Sequence, residues 1–181
     1  MGADTFLFHI IKFYTVKRFI CVFFLVLVLF LKMDLYAQQS EPFIKVEGEV
    51  TQPLKLTLSD LEKMKRVTVS HKGHDSVSHA YTGVSLFEIL TKAGVTTGKK
   101  MHGKDLAKYL LVTASDGYQV VFSLAELDTS FTDKQVILSD KRDGVPLPDK
   151  LGPFQVIAAG EKRPARSCFK TISLTVRSAK E

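Results

Sequence analysis

Residues 152–167 read Gly-Pro-Phe-Gln-Val-Ile-Ala-Ala-Gly-Glu-Lys-Arg-Pro-Ala-Arg-Ser, an apolar strand followed by a basic loop. The strand provides a rigid base, and Gly160 allows the backbone to turn tightly. Lys162, Arg163 and Arg166 follow within five residues, and guanidinium groups bind phosphate and other oxyanions through paired hydrogen bonds. This pattern predicts an anion-binding loop. The alternative is a solvated turn without a ligand.

The N-terminal segment, residues 1–37, has the pattern of a secretory signal peptide. Basic residues precede an apolar run of 13 residues from Phe19 to Leu31, and the small residue Ala37 provides a cleavage point. The run is shorter than the roughly 20 residues that span a bilayer. We therefore expect export to a periplasm or to the cell exterior. The alternative is an uncleaved N-terminal anchor, which would be the chain's one contact with a membrane.

Residues 38–181 are long enough for one domain with one core. Removal of the leader lowers the net charge from +6 to +4, with the basic residues spread along the chain. Such a distribution argues against a nucleic-acid partner. Only Cys168 remains after processing, so the exported domain cannot form an intrachain disulfide.

Three serine-glutamate pairs at capping-box spacing predict three short helices, which begin at Ser59, Ser85 and Ser123. The Asp116-Gly117 pair between two apolar runs predicts a β-hairpin. Other strands are predicted at 43–50, 67–70, 135–139, 154–158 and 169–176, and a turn at Asp143-Gly144. Short helices among a majority of strands predict an α+β domain with β-rich mixed sheets.

Five short motifs in order carry a family resemblance over most of residues 43–177. They are Val46-Glu-Gly-Glu-Val50, Tyr81-Thr-Gly-Val-Ser-Leu86, Asp116-Gly-Tyr118, Gly152-Pro-Phe-Gln-Val-Ile157 and Ala165-Arg-Ser167. Together they resemble the oxidoreductase molybdopterin-binding domain of the sulfite oxidase family, above all its short exported members that consist of this domain alone. The resemblance implies a mixed α+β fold in which a molybdopterin cofactor lies in a central groove. It also implies that Arg166 and Ser167 lie near the cofactor's phosphate.

One departure from the family pattern concerns the metal. The resemblance implies a molybdenum-binding cysteine after the strand that contains Val67-Thr-Val-Ser70, whereas this chain has His71 there. An imidazole does not replace a soft thiolate in charge or donor strength. We therefore expect no stoichiometric molybdenum, and we assign no catalytic residue. We interpret Cys168 as a small buried core residue, and Lys170 as displaced by one position from the family's lysine, on the opposite face of a strand.

A histidine cluster overlaps the same segment. His71, His74 and His79, with Asp75, lie within nine residues, and imidazole and carboxylate groups are ligands for zinc, copper, nickel or iron. The segment is predicted to form a strand, a turn and a strand, so that His71 and His79 face each other across a hairpin. The sequence thus offers a candidate metal site. The alternative is a polar, exposed hairpin tip.

Two functional hypotheses follow. The first is an exported molybdopterin-type oxidoreductase in which Lys162, Arg163, Arg166 and Ser167 hold the cofactor and a redox partner protein reoxidises the metal. The second is a non-catalytic module whose groove binds an anionic small molecule or a protein partner. Loss of the thiolate favours the second hypothesis, and fold alone does not establish function.

Overall fold

A computed structural model of the chain describes residues 41–73 and 76–179. The predicted leader, residues 1–37, and two members of the histidine cluster, His74 and Asp75, lie outside these ranges. Within the described ranges, no helix is both long enough and apolar enough to cross a bilayer.

The first of two five-stranded sheets joins both ends of the described chain. Its strand order is β2-β1-β10-β5-β6, and only the contact between β1 and β10 is parallel. The predicted Asp116-Gly117 hairpin connects β5 to β6, and Gly117 has the positive φ of 88° that such a turn needs. The strands are β1 (Phe43–Gly48), β2 (Leu54–Thr57), β5 (Lys108–Ala114), β6 (Gln119–Ser123) and β10 (Thr171–Ser178).

The second sheet carries the candidate site. Its strands run in the order β3-β4-β7-β8, and β9 also pairs with β7. All its pairings are antiparallel, and the predicted Asp143-Gly144 turn connects β7 to β8. The strands are β3 (Arg66–Lys72), β4 (Ser78–Ser85), β7 (Val136–Arg142), β8 (Val145–Pro146) and β9 (Gln155–Ala158).

The main hydrophobic core contains side chains from both sheets and from the middle helix. Fully buried Ile44, Val112 and Leu174 of the first sheet belong to one cluster with Val84 and Leu138 of the second. A smaller cluster around Tyr81, Ile137 and Ile157 covers the other face of the second sheet. Because side chains alternate between the faces of a strand, the second sheet is apolar on both faces. The face with the smaller cluster is where the candidate site lies.

Three short α-helices are present among the described residues, as predicted, but their caps differ from the prediction in two cases. They are α1 (Leu58–Glu62), α2 (Leu86–Lys92) and α3 (Leu124–Leu127). Helix α3 has the predicted capping box of Ser123 and Glu126. Helix α2 begins after Ser85 as predicted, although the Ser85 side chain makes no cap hydrogen bond.

The predicted start of α1 was wrong by two residues. Thr57 and Asp60 form its capping box, with Asp60 Oδ2 3.0 Å from the Thr57 backbone nitrogen. The serine that was predicted to cap it, Ser59, hydrogen-bonds instead to Glu41, and Glu62 forms an ion pair with Lys141. Two overlapping pairs have capping-box spacing here, and only the first, Thr57 with Asp60, caps the helix. The second pair, Ser59 with Glu62, contacts distant residues instead.

Candidate functional site

The site begins with the register of the second sheet. His71 of β3 lies opposite His79 of β4, and Tyr81 lies opposite both Val69 of β3 and Arg142 of β7. Directly opposed residues of antiparallel strands share a face. The predicted facing of His71 and His79 is therefore confirmed.

An inner cavity of about 220 Å³ lies on this face. The three strands β3, β4 and β7 and the start of β9 form its floor, while the loop that precedes β10 covers it. Its lining comprises His71, Gly73, Tyr81, Arg142, Leu151, Gln155, Pro164, Ser167 and Phe169. No lining residue that the structure describes is acidic, so the cavity suits a neutral or anionic group.

His71 lies at the inner end of this cavity. Its side chain is buried, with an exposed fraction of 5%, and its Nε2 atom lies 3.1 Å from Ser167 Oγ. Ser167 also accepts a hydrogen bond of 3.3 Å from the Ala158 backbone N–H. The serine therefore joins the imidazole to strand β9, and this contact fixes the imidazole at the inner end of the cavity.

Gln155 and Arg142 are site residues that the sequence analysis did not single out. Gln155 is 1% exposed, and its Oε1 atom has no hydrogen-bond partner in the described structure. A buried polar atom without a partner is rare in native proteins. The signal in the sequence was a single polar residue within the apolar run Phe154–Ala158.

A second cavity of about 350 Å³ adjoins the first. The two share Pro164, Ser167 and Phe169, and the second extends to the β5–β6 turn at Asp116 and Tyr118. Tyr118 donates a hydrogen bond of 2.6 Å from its hydroxyl to the Ala165 carbonyl oxygen. The two cavities form one groove with an inner and an outer chamber, and the loop 164–169 lies between them.

The predicted anion-binding loop has its most central cation already paired. Arg166 contacts Glu126 of α3, with an NH1–Oε2 distance of 3.2 Å, and donates from Nε to Glu161 over 2.9 Å. Its guanidinium also stacks on Phe122, 4.6 Å from the ring centroid. Partial burial acts to lower the pKa of Arg166, but the two carboxylates outweigh it and raise that pKa. An anion at Arg166 would have to displace carboxylates.

The other members of the loop have different surroundings. Lys162 and Arg163 are exposed, whereas Ser167 is buried against His71. Lys170 was predicted to lie on the opposite face of a strand; it instead precedes β10, in a backbone conformation with a φ of 44°. The anion-binding role of Lys162, Arg163, Arg166 and Ser167 stays a prediction.

In the described part of the chain, the two histidines of the cluster hydrogen-bond to different side chains. His71 contacts Ser167, while His79 Nδ1 lies 2.7 Å from Asp143 Oδ2. Hydrogen bonds from the Ala80 N–H and from His79 lower the pKa of the Asp143 carboxyl. Among the described residues, no group of three histidine, cysteine or acidic side chains is arranged to hold a metal ion. Because His74 lies outside those residues, the three-histidine site stays a prediction.

Cys168 does not line either chamber of the groove. It is fully buried within the main core, and its thiol lies 3.8 Å from the Phe169 carbonyl oxygen. Burial raises the pKa of this thiol, which favours the neutral form. Its interpretation as a small core residue agrees with this position.

A wider depression of about 610 Å³ lies elsewhere, lined in part by Ser70, Asp133 and Lys134. It is larger than either chamber of the groove. It is nevertheless open to solvent, and its lining includes no buried polar atom without a partner among the described residues. We therefore place the candidate site in the groove.

Comparison with known proteins gives a family and a fold. The fold is similar to that of the sulfane dehydrogenase SoxCD from Paracoccus pantotrophus, with a TM-score of 0.59 and 17% sequence identity. That similarity covers 77% of this chain and 39% of the SoxCD chain, so this protein spans well under half the length of its structural neighbour. No curated protein matches it. The model of the oxidoreductase molybdopterin binding domain matches residues 36–161, more than half of the sequence, and the chain therefore belongs to that family.

Proposed function

We propose that this domain is a ligand-binding member of the molybdopterin-domain family, whose groove takes an organic anionic ligand without molybdenum bound to a protein thiolate. The observation that carries the proposal is the contact between His71 Nε2 and Ser167 Oγ at 3.1 Å. It supports a groove whose inner end holds a buried, hydrogen-bonded imidazole, at the position where the sequence motifs led us to expect a metal-binding cysteine. The groove offers two adjoining chambers to such a ligand.

The donor set does not fit a thiolate-bound molybdenum centre. A soft thiolate is the expected protein ligand for this metal, and the one described cysteine is buried in the main core. The imidazole of His71 is a nitrogen ligand rather than a thiolate, and it already contacts a serine. We therefore derive no redox step through molybdenum at this site.

Arg166 is also less available to the phosphate of a molybdopterin than the sequence indicated. Arg166 is held by Glu126 and Glu161, and it is 35% exposed. Charge-assisted contacts of this kind have to be exchanged, at a cost, for contacts with a phosphate. A ligand whose anionic group lies in the inner chamber avoids this exchange.

A second candidate function is oxidoreductase activity with a molybdopterin cofactor, and family membership over residues 36–161 favours it. In that case the groove would bind the pterin, and the metal would have no protein thiolate. A redox partner protein would have to reoxidise the cofactor. The sulfane dehydrogenase that shares the fold supports the fold alone, because its sequence identity is 17%.

Metal and pterin analysis of protein from its own host separates the two candidates. We expect molybdenum well below one atom per chain by elemental analysis, because the site has no protein thiolate. Fluorescence after oxidative release would report any bound pterin. One molybdenum per wild-type chain would refute the proposal and support the second candidate.

Two cysteine variants sharpen this test. His71→Cys restores a thiol at the family position, and His79→Cys puts a thiol at the facing position in β4. If the groove has kept the pterin-binding half of the ancestral site, only His71→Cys gains molybdenum. Equal metal content in both variants would indicate binding to any accessible thiol.

The proposal includes export, for which the N-terminal segment is the support. Cleavage after Ala37 would leave Gln38 as the first residue of the mature protein. N-terminal sequencing of protein recovered from the periplasm or the medium tests this step. An intact Met1 in membrane-bound material would support the anchor instead.

A further inference from the structure

The inner chamber contains an acceptor that the protein leaves unpaired. Gln155 is 1% exposed, its Oε1 atom has no described hydrogen-bond partner, and it lines the cavity of about 220 Å³. Burying a carbonyl oxygen without a donor is costly, and folding would favour an apolar side chain in its place. A ligand that donates an N–H or O–H group would remove that cost.

The same chamber contains an arginine whose guanidinium makes no hydrogen bond to a described residue. Arg142 lines the cavity, and its charge acts on Asp143 only at a distance, where it helps to lower the pKa of that carboxyl. The neighbouring carboxylate, Asp143, accepts instead from His79 and from the Ala80 N–H. Five N–H donors are thus available to an oxyanion.

Strand register fixes the distance between these two groups. Gln155 lies opposite Ser139 of β7, and Arg142 is three residues further along the same strand. A bulge in β7 sets the step from Ser139 to Arg142 against only two residues of β4, so these two positions are roughly 7 Å apart along the strand and share a face. Gln155 and Arg142 both reach into one chamber, so a single small molecule can contact both.

The walls and the volume limit what that molecule can be. Tyr81, Phe169 and His71 supply rings, and Leu151 and Pro164 supply apolar surface. The volume is below the roughly 300–1,000 Å³ of pockets for drug-sized ligands. Aromatic walls and a narrow chamber favour a flat ring over a branched aliphatic chain.

We propose that the inner chamber binds a small aromatic or heteroaromatic oxyanion that also carries an N–H or O–H group. Arg142 binds the oxyanion, Gln155 Oε1 accepts from the N–H or O–H group, and the ring lies between Tyr81 and Phe169. This proposal rests on the proposed function in that both place the ligand in the groove. It adds the chemical class of that ligand and the two residues that select it.

Titration calorimetry with 4-hydroxybenzoate tests the proposal, and benzoate is the matched probe without the donor. Wild type should bind 4-hydroxybenzoate about 3- to 10-fold more tightly than benzoate, because one neutral hydrogen bond changes an affinity by about this factor. Gln155→Leu should bind both probes equally, whereas Gln119→Leu, at an exposed position of β6, should keep the wild-type ratio. No binding of 4-hydroxybenzoate at millimolar concentration, or an unchanged ratio in Gln155→Leu, would overturn the proposal.

The arginine is tested in the same titrations. Arg142→Gln should weaken both probes about 10- to 150-fold, the range for a charge-assisted hydrogen bond. Arg177→Gln, at an exposed position of β10, is the control and should leave both affinities unchanged. Equal affinities in the two variants would remove Arg142 from the site.

Thermal unfolding of the ligand-free protein gives an independent measurement. Gln155→Leu should raise the melting temperature, because it removes a buried acceptor without a partner. This combination of higher stability and lost selectivity is typical of a binding residue. An unchanged or lower melting temperature would mean that Gln155 is satisfied in the free protein, and it would overturn the proposal.

These outcomes are distinct from those of the metal analysis. Molybdenum in the native protein would refute the proposed function, whatever 4-hydroxybenzoate does. Absence of molybdenum together with no binding of the probe would refute only the present inference.

Discussion

Replacement of Arg166 by alanine removes the centre of a charge network beside the groove. The guanidinium contacts Glu126 on α3 and Glu161 on the same loop, and it stacks on Phe122 of β6. It therefore ties the loop at the groove to the first sheet and to a helix. This arrangement changes what the substitution should do, because the sequence alone indicated only a ligand contact for Arg166.

The expected loss of stability follows from these three contacts. Each ion pair is worth about 0.5–1 kcal/mol, since the arginine and Glu126 are about one-third exposed and solvent screens them. The stacking on Phe122 adds about 0.5–1 kcal/mol. The total is about 1.5–3 kcal/mol, or roughly 3–12 °C in melting temperature for a domain of this size.

Thermal and urea unfolding of wild type, Arg166→Ala and Arg163→Ala provide the assay. Arg163 belongs to the same loop but is exposed, so its replacement should cost no more than about 0.5 kcal/mol. The difference between wild type and Arg166→Ala should shrink in high salt, because screening weakens the ion pairs. A double-mutant cycle that combines Glu161→Gln with Arg166→Ala should give a coupling energy of at least about 0.5 kcal/mol.

One result would refute this reasoning. If Arg166→Ala and Arg163→Ala unfold like wild type, the carboxylates contribute nothing and the guanidinium is available to an anion. Titration with inorganic phosphate would then show binding to wild type that is lost in Arg166→Ala. We expect no such binding, because phosphate would have to displace both carboxylates.

Three further predictions follow from the described structure. Gly83→Ala should destabilise the domain by about 3 kcal/mol or more, because its Cβ would lie 2.1 Å from the Leu138 carbonyl oxygen. Gly144→Ala, in open space, should cost only about 1 kcal/mol, and equal urea midpoints for the two variants would contradict this prediction. Under native conditions a thiol reagent should label wild type and Cys168→Ser equally, and only urea should reveal the extra thiol; rapid native labelling of Cys168 would contradict its burial. Hydrogen bonds in the folded state lower the pKa of Asp143 below its usual value of 3.8, so its contribution to stability is present above that pH and is lost as the pH falls further. Asp143→Asn should therefore reduce the loss of stability at acid pH in unfolding experiments. An unchanged loss of stability at acid pH would exclude the contribution.

Local chemistry explains what the sequence predicted well. The turns at Asp116-Gly117 and Asp143-Gly144 depend on residues that are adjacent in the chain, and both connect antiparallel strands as expected. The same holds for the capping box of Ser123 and Glu126. The short motifs, in their order, also identified the family. At α1, two overlapping pairs match the capping-box pattern, so the local sequence could not decide which residue caps the helix. The cap is Thr57 rather than Ser59.

The sequence by itself thus determined the class of fold, the main strands and turns, and the absence of a cysteine at position 71. Only the tertiary structure decided that Arg166 pairs with Glu126, forty residues away, and that Gln155 and Arg142 line one chamber. It also decided the parallel contact of β1 with β10, which joins the two ends of the described chain. The physical reason is that periodicity and turn chemistry act over a few residues, whereas a binding site depends on the register between strands that are distant in sequence.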